Sequence, residues 1–145
     1  MSETKGAMCR PTVLLADDHA ETARQLRKLL EPQFDVVGLV EDGRALVSSA
    51  ARLLPDAIVA DISMPGLDGI EASVQIRRRD PDARIVLVTV HSESVLVTRG
   101  LAAGALGYVL KDAAGDELVP AVQAALAGQR FVSGALAGRG SRGGK

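Results

Sequence analysis

A chain of 145 residues, 47% hydrophobic and 24% charged, has the length and balance of one ordinary globular domain. Its single cysteine, Cys9, excludes an intramolecular disulfide framework, and no stretch approaches the ~20 apolar residues of a membrane-spanning helix. A net charge of −1 offers nucleic acid no broad attraction, and residues 1–11 hold no apolar leader core, so the expectation is a cytoplasmic protein that binds neither DNA nor membrane directly.

Residues 1–10 read as a disordered leader. Five short apolar runs then alternate with longer helical patterns. The runs cover 13–16, 36–40, 57–60, 85–88 and 108–110, and are nearly continuous in apolar character, as strands buried on both faces are. Between the first two, Ala23, Leu26, Leu29 and Leu30 recur at helical spacing over 19–31, and Pro32 ends the pattern. The next helix, 43–54, shows Leu46, Ala50, Leu53 and Leu54 on one stripe behind Asp42 as N-cap. A weaker pattern at 68–79 exits through the charged run Arg77-Arg78-Arg79-Asp80. Helix 92–104 has Ser92 as its expected cap, Gly104 as its C′ residue, and Gly100 inside it as an expected soft point. The last helix, 115–127, carries Leu118, Ala121, Val122 and Ala125 at i, i+3, i+4, i+7; Gly128 follows, and Pro120 is expected to kink it. The stretch 129–145 reads as a linker-like flexible tail.

Strand–helix alternation five times over predicts an α/β fold: a doubly wound parallel sheet, flavodoxin-like, in the order 2-1-3-4-5. Sites in such sheets lie beyond the carboxyl ends of the strands. Asp17 and Asp18 follow the first run, Asp61 the third, Thr89 the fourth and Lys111 the fifth. Three carboxylates converging on one pocket need a compensating charge, and a hard cation such as Mg²⁺ supplies it. With no His or Cys expected among the ligands, zinc is disfavoured. Acids, Mg²⁺, a lysine and a hydroxyl together suit phosphoryl transfer, with Asp61 as the nucleophile. Taken singly, each residue has a plainer use: Asp17 or Asp18 as a helix N-cap, Asp61 as a turn residue before Met64-Pro65-Gly66, Tyr108 as an amphipathic residue at a strand's rim.

The segments Leu14-Leu15-Ala16-Asp17-Asp18-His19, Asp61-Ile62-Ser63-Met64-Pro65-Gly66, Val88-Thr89 and Gly107-Tyr108-Val109-Leu110-Lys111-Asp112 resemble the receiver domain of two-component response regulators. The likeness spans about 11–128 and is nearest the subgroup with LuxR-type helix-turn-helix output. It implies that Asp61 accepts a phosphoryl group from a histidine kinase or a small phosphodonor. It also implies that Asp18, Asp61 and the backbone carbonyl of Ser63 ligate Mg²⁺, Asp17 acting through water. Lys111 would hold a phosphoryl oxygen, Thr89 would move towards it and Tyr108 would turn inward. Ser63 and His91 would border the site and tune phosphoryl lifetime. A partner, or a second copy meeting residues 92–127, would read the state. With no room for a helix-turn-helix after 128, either the chain is a stand-alone receiver or its output domain is missing. Three other classes are weighed, the first an interaction scaffold with a degenerate site, which the presence of Asp61, Thr89 and Lys111 together argues against. An aspartyl-phosphate phosphatase needs a second acid where Ser63 stands. A flavin module needs a phosphate-cradling loop where Ala16-Asp17-Asp18-His19 is acidic.

Overall fold

The computed structural model describes residues 10–134. Most of the expected leader, and the glycine-rich stretch beyond 134, lie outside these residues. Six strands, β1 (Thr12–Ala16), β2 (Asp35–Val40), β3 (Ala57–Asp61), β4 (Ile85–Thr89), β5 (Gly107–Leu110) and β6 (Phe131–Val132), form one sheet in the order β2-β1-β3-β4-β5-β6. Every neighbouring pair is parallel. Five helices cross between them: α1 (Ala20–Leu30), α2 (Gly43–Leu53), α3 (Gly69–Arg79), α4 (Ser94–Ala102) and α5 (Ala114–Leu126), the last preceded by a 3-10 turn at Lys111–Ala113. The doubly wound order expected from the sequence is therefore the one found, with a sixth strand added.

The sheet divides two cores. Val13, Leu15, Val59, Val86, Val88 and Val109 face α1 and α5, meeting Leu26, Leu30, Leu118 and Val122. Leu14, Ile58, Ala60, Ile85, Leu87 and Tyr108 face the other three helices, meeting Leu46, Ala50, Ile70 and Ile76. Continuous apolar runs are needed because β3 and β4 are buried at every position. β2 departs from that expectation. It is the sheet edge, and its residues alternate between exposed and half-buried. A register shift between Val13↔Val36 and Leu14↔Gly38 leaves Val37 as an extra, exposed residue, a bulge of the kind that blunts sheet edges.

Local signals at the helix ends are mostly as expected. The Asp42 carboxylate accepts from the Ala45 N–H at 2.8 Å, and an unforeseen cap, Asp68, accepts from Glu71 N–H at 2.8 Å. Gly104 follows α4 at φ +102°. Two expectations are corrected. The N-cap position of α4 falls on Glu93, which makes no side-chain cap, rather than on Ser92, because the helix starts two residues later than its apolar pattern suggests. Gly100 is a packing residue rather than a soft point: a Cβ there would lie 2.9 Å from Leu87 Cδ1 and 3.3 Å from the Tyr108 ring. α5 runs through Pro120 without interruption, with the proline on the exposed side.

Within the stretch expected to be a flexible tail, residues 131 and 132 instead form a strand of the sheet. Phe131 and Val132 pair with Gly107 and Tyr108. Ser133, fully buried, donates its N–H to the Tyr108 carbonyl at 2.8 Å and its hydroxyl to Glu117, while its oxygen accepts from the Leu110 N–H at 3.3 Å. Gly134 N–H adds a second bond to Glu117 at 3.1 Å.

Candidate functional site

The strand order sets β3 between β1 and β4, so the residues at their carboxyl ends share one rim. Asp61 closes β3 level with Val88, and Thr89 closes β4 level with Leu110, immediately before Lys111. α3 starts against the phosphoacceptor candidate itself. Gly69 donates its N–H to the Ile62 carbonyl at 2.8 Å, and a Cβ at this position would sit 2.2 Å from the Asp61 carbonyl oxygen, so only glycine allows the approach.

Three charged groups meet here. Lys111 Nζ lies 3.0 Å from Asp61 Oδ2 and 3.1 Å from Asp17 Oδ2. Both carboxylates are buried, and the lysine side chain is 15% exposed. Asp61 Oδ1 accepts from the Ser63 N–H at 3.2 Å. Asp17 Oδ1 accepts from the His19 N–H at 2.8 Å, and this turn leaves Asp18 partly exposed with its Oδ1 3.0 Å from His19 Nδ1. Neither Asp17 nor Asp18 therefore caps α1; His19 occupies that position and makes no side-chain cap.

Burial raises the Asp61 pKa, and the Asp17 charge adds to the rise. The Lys111 hydrogen bond and charge, with the Ser63 N–H, oppose it but do not cancel it. Burial works against the Lys111 ammonium, but its hydrogen bond to Asp61 and the charges of Asp61 and Asp17 outweigh it and raise its pKa. The pocket thus holds two buried carboxylates on one cation. Asp17 Oδ2 is buried without an aligned hydrogen-bond donor, despite its nearness to Lys111. Ligand atoms of Asp17, Asp18, Asp61 and His19 all lie within 4.8 Å of one another. Oxygen-rich donors and an unsatisfied buried carboxylate oxygen fit a hard divalent cation. The expectation that no histidine joins the cluster is corrected. His19, the residue after Asp18, folds back onto it, although its side chain is 65% exposed.

Beside the acids lies a second set of contacts, centred on His91. Its N–H donates to Thr89 Oγ1 at 3.2 Å, and its carbonyl accepts from the Tyr108 hydroxyl at 2.9 Å. Its Nε2 lies 2.9 Å from Ser63 Oγ, in the loop after Asp61. Tyr108 is fully buried, so it is no rim residue; its ring already points inward.

The sequence from residue 13 to 123 matches the model of the response regulator receiver domain. The chain belongs to the response regulator receiver family. This receiver is 37% identical to the response regulator GacA of Pseudomonas aeruginosa and to the response regulator UvrY of Escherichia coli K12, over 127 residues in each case. Each match covers 86% of this chain but 59% and 58% of those proteins, so the chain spans about three-fifths of their length. Its fold is similar to that of a LuxR-family two-component response regulator from Aurantimonas sp. SI85-9A1, with TM-score 0.85 and 37% identity over 88% of this chain and 93% of that one. It also resembles the receiver domain of a NarL regulator from Mycobacterium tuberculosis, with TM-score 0.80 and 31% identity over 83% of this chain and 99% of that one.

In this receiver, Asp17, Asp18, Asp61 and Lys111 come together at the strand ends. Thr89, Tyr108, Ser63 and His91 form the adjoining network. Sequence reasoning named His91 but missed its bridging role. Two of its three bonds use the backbone N–H and carbonyl, which every residue but proline has, so residue type carries no signal for them.

Proposed function

We propose that this receiver accepts a phosphoryl group on Asp61 with the help of Mg²⁺ and transmits the change to a partner or an attached output domain. The observation that carries this reading is Asp61: buried at the end of a central strand, 3.0 Å from Lys111 and beside a buried carboxylate oxygen that lacks a hydrogen bond. A carboxylate oxygen of Asp61 attacks the phosphorus of the donor. The new bond is oxygen to phosphorus, and the bond broken is that between phosphorus and the donor atom, a histidine nitrogen in a kinase or an acyl oxygen in a small phosphodonor. Asp17, Asp18, Asp61 and the Ser63 carbonyl would hold Mg²⁺, which when bound supplies positive charge to the transferring phosphoryl oxygens. Lys111 supplies a second positive charge and holds a phosphoryl oxygen. Thr89, tied to Tyr108 through the His91 backbone, moves towards the new group. The Ser63–His91 contact borders Asp61, whose carboxylate accepts from the Ser63 N–H, and would tune how readily water reaches the phosphoryl group.

The domain would act in the cytoplasm as a signalling module that assists its own phosphorylation and dephosphorylation. In the parent protein, transcriptional control through a helix-turn-helix domain after the receiver is the reading favoured by the likeness to LuxR-family regulators. The surface of α4, β5 and α5 is where a kinase-driven change would be read, by a partner or a second copy. The phosphatase alternative fails on Ser63, which brings a hydroxyl and no second acid to the site.

The test is incubation with Mg²⁺ and acetyl phosphate followed by intact-mass measurement. The expected result is a gain of one phosphoryl group, abolished by omitting Mg²⁺ and by Asp61→Asn. An equal gain in the Asn variant would refute the assignment.

A further inference from the structure

On the face of the molecule carrying α2 and α3, between the helices, runs an open groove of about 670 Å³, floored by Val47, Ala51 and Leu67 and rimmed by Arg44, Arg52 and Arg79. No carboxylate lines it. It continues, through Val47, Ala51 and Arg79, into a second recess of about 450 Å³ towards the opposite end of the sheet. There the floor is Leu54, Pro55, Ile58 and Ile76, and the rim adds Arg84 against a single acid, Asp80. All four arginines are exposed, and among the described residues none has an ion-pair partner. Leu54, 73% exposed at φ 50°, holds a large apolar side chain out over the recess. The chain's net charge of −1 hides this separation: acids crowd the strand ends while unpaired arginines line the helical flank.

Charge and shape narrow the occupant. Unpaired arginines along one rim complement carboxylates. An apolar floor between two helices suits the hydrophobic stripe of a third. Both recesses are open to solvent, whereas a small-molecule pocket encloses most of its ligand's surface. A single nucleic-acid strand would want aromatic side chains to stack upon, and none lines either recess. We propose that this flank docks an acidic amphipathic helix of a partner protein. Its leucine-like stripe lies on Val47, Ala51 and Leu54, and its carboxylates pair with Arg44, Arg52, Arg79 and Arg84. The surface is separate from Asp61 and from the α4–β5–α5 face, so the inference does not rest on the phosphoacceptor reading. Leu67 alone touches both regions: it lines the groove and lies in the loop that follows Asp61.

The probe is a fluorescein-labelled synthetic helix of about 18 residues, enough for roughly five turns, with leucines at i, i+3, i+4 and i+7 and glutamates on the flanks. Fluorescence anisotropy with the full chain should show saturable binding that weakens as salt is raised. The double variant Arg44→Glu/Arg79→Glu should lose about tenfold in affinity. Ala51→Trp, which fills the floor without altering charge, should weaken binding too; a circular dichroism spectrum and thermal melt matching the parent chain would show that both variants are folded. Amide shifts on titration should cluster in 44–55 and 75–84. Absence of saturable binding, equal binding by the charge-reversed protein, shifts confined to 94–126, or tighter binding of a single-stranded oligonucleotide of matched length would each overturn the proposal.

Discussion

Tyr108 is the chain's only tyrosine, and its hydroxyl ends 2.9 Å from the His91 carbonyl in a fully buried setting. Burial and then the charge of Glu93 push its pKa up to about 12. The folded state therefore keeps the proton that the unfolded chain, at about 10, gives up. The stability contributed is fully present below the unfolded value and is lost as pH rises through the folded one. Tyrosinate absorbance should rise with a midpoint near 12 in the native protein and near 10 in urea. A native midpoint at the ordinary value would mean that the ring swings out to solvent and that the Thr89–His91–Tyr108 chain is not held. Asp61 is displaced in the same direction but with the opposite consequence for use. Its raised pKa means that reactivity as a nucleophile fades on acidification sooner than an ordinary carboxylate's would. Bound metal would lower that threshold again, so the two effects work against each other.

At the scale of elements, α4 and β6 both depend on contacts that no local pattern announces. Gly100 lets α4 lie on Leu87 and Tyr108. Alanine there gains about 0.5–1 kcal/mol in helix preference, but overpacking costs about 1–3 kcal/mol, so Gly100→Ala should destabilise the fold by about 1 kcal/mol net in urea titration. A stabilised variant would mean that the helix sits loosely. β6 is held by Ser133, which bonds to β5 and to Glu117 of α5. Ser133→Ala should cost about 1–2 kcal/mol, because Leu110 N–H and Glu117 lose a buried partner, and amide exchange at Gly134 should accelerate. Unchanged exchange would show that the strand needs no clamp. This strand was not legible in the sequence. Two paired residues after a helix-ending glycine have no period to detect, and the bonds that secure them cross gaps of 16 and 23 residues. The five longer strands were legible because sheets covered on both faces demand unbroken apolar runs. β2 shared that composition yet lies at the edge, where its bulge and exposed Val37 follow from its place in the strand order rather than from its residues.

At the scale of the molecule, the fold brings the acidic cluster and Lys111 to one end and leaves exposed arginines along the α2–α3 flank. The site was legible almost whole because each of its charged residues follows an apolar run, and a parallel sheet carries all such positions to one rim. What the order of residues could not convey was pairing. Nothing local says that Lys111 stands between Asp17 and Asp61, or that His91 ties Ser63, Thr89 and Tyr108 together. In the proposed function Asp61, alone among the three clustered aspartates, becomes the acyl phosphate. The direct test is to treat the protein with Mg²⁺ and acetyl phosphate, reduce with borohydride and read the peptides by mass spectrometry, since an aspartyl phosphate is reduced to homoserine while free carboxylates are not. Homoserine is expected at position 61 only. Homoserine at 17 or 18, or a phosphoryl group recovered on a histidine, would contradict it.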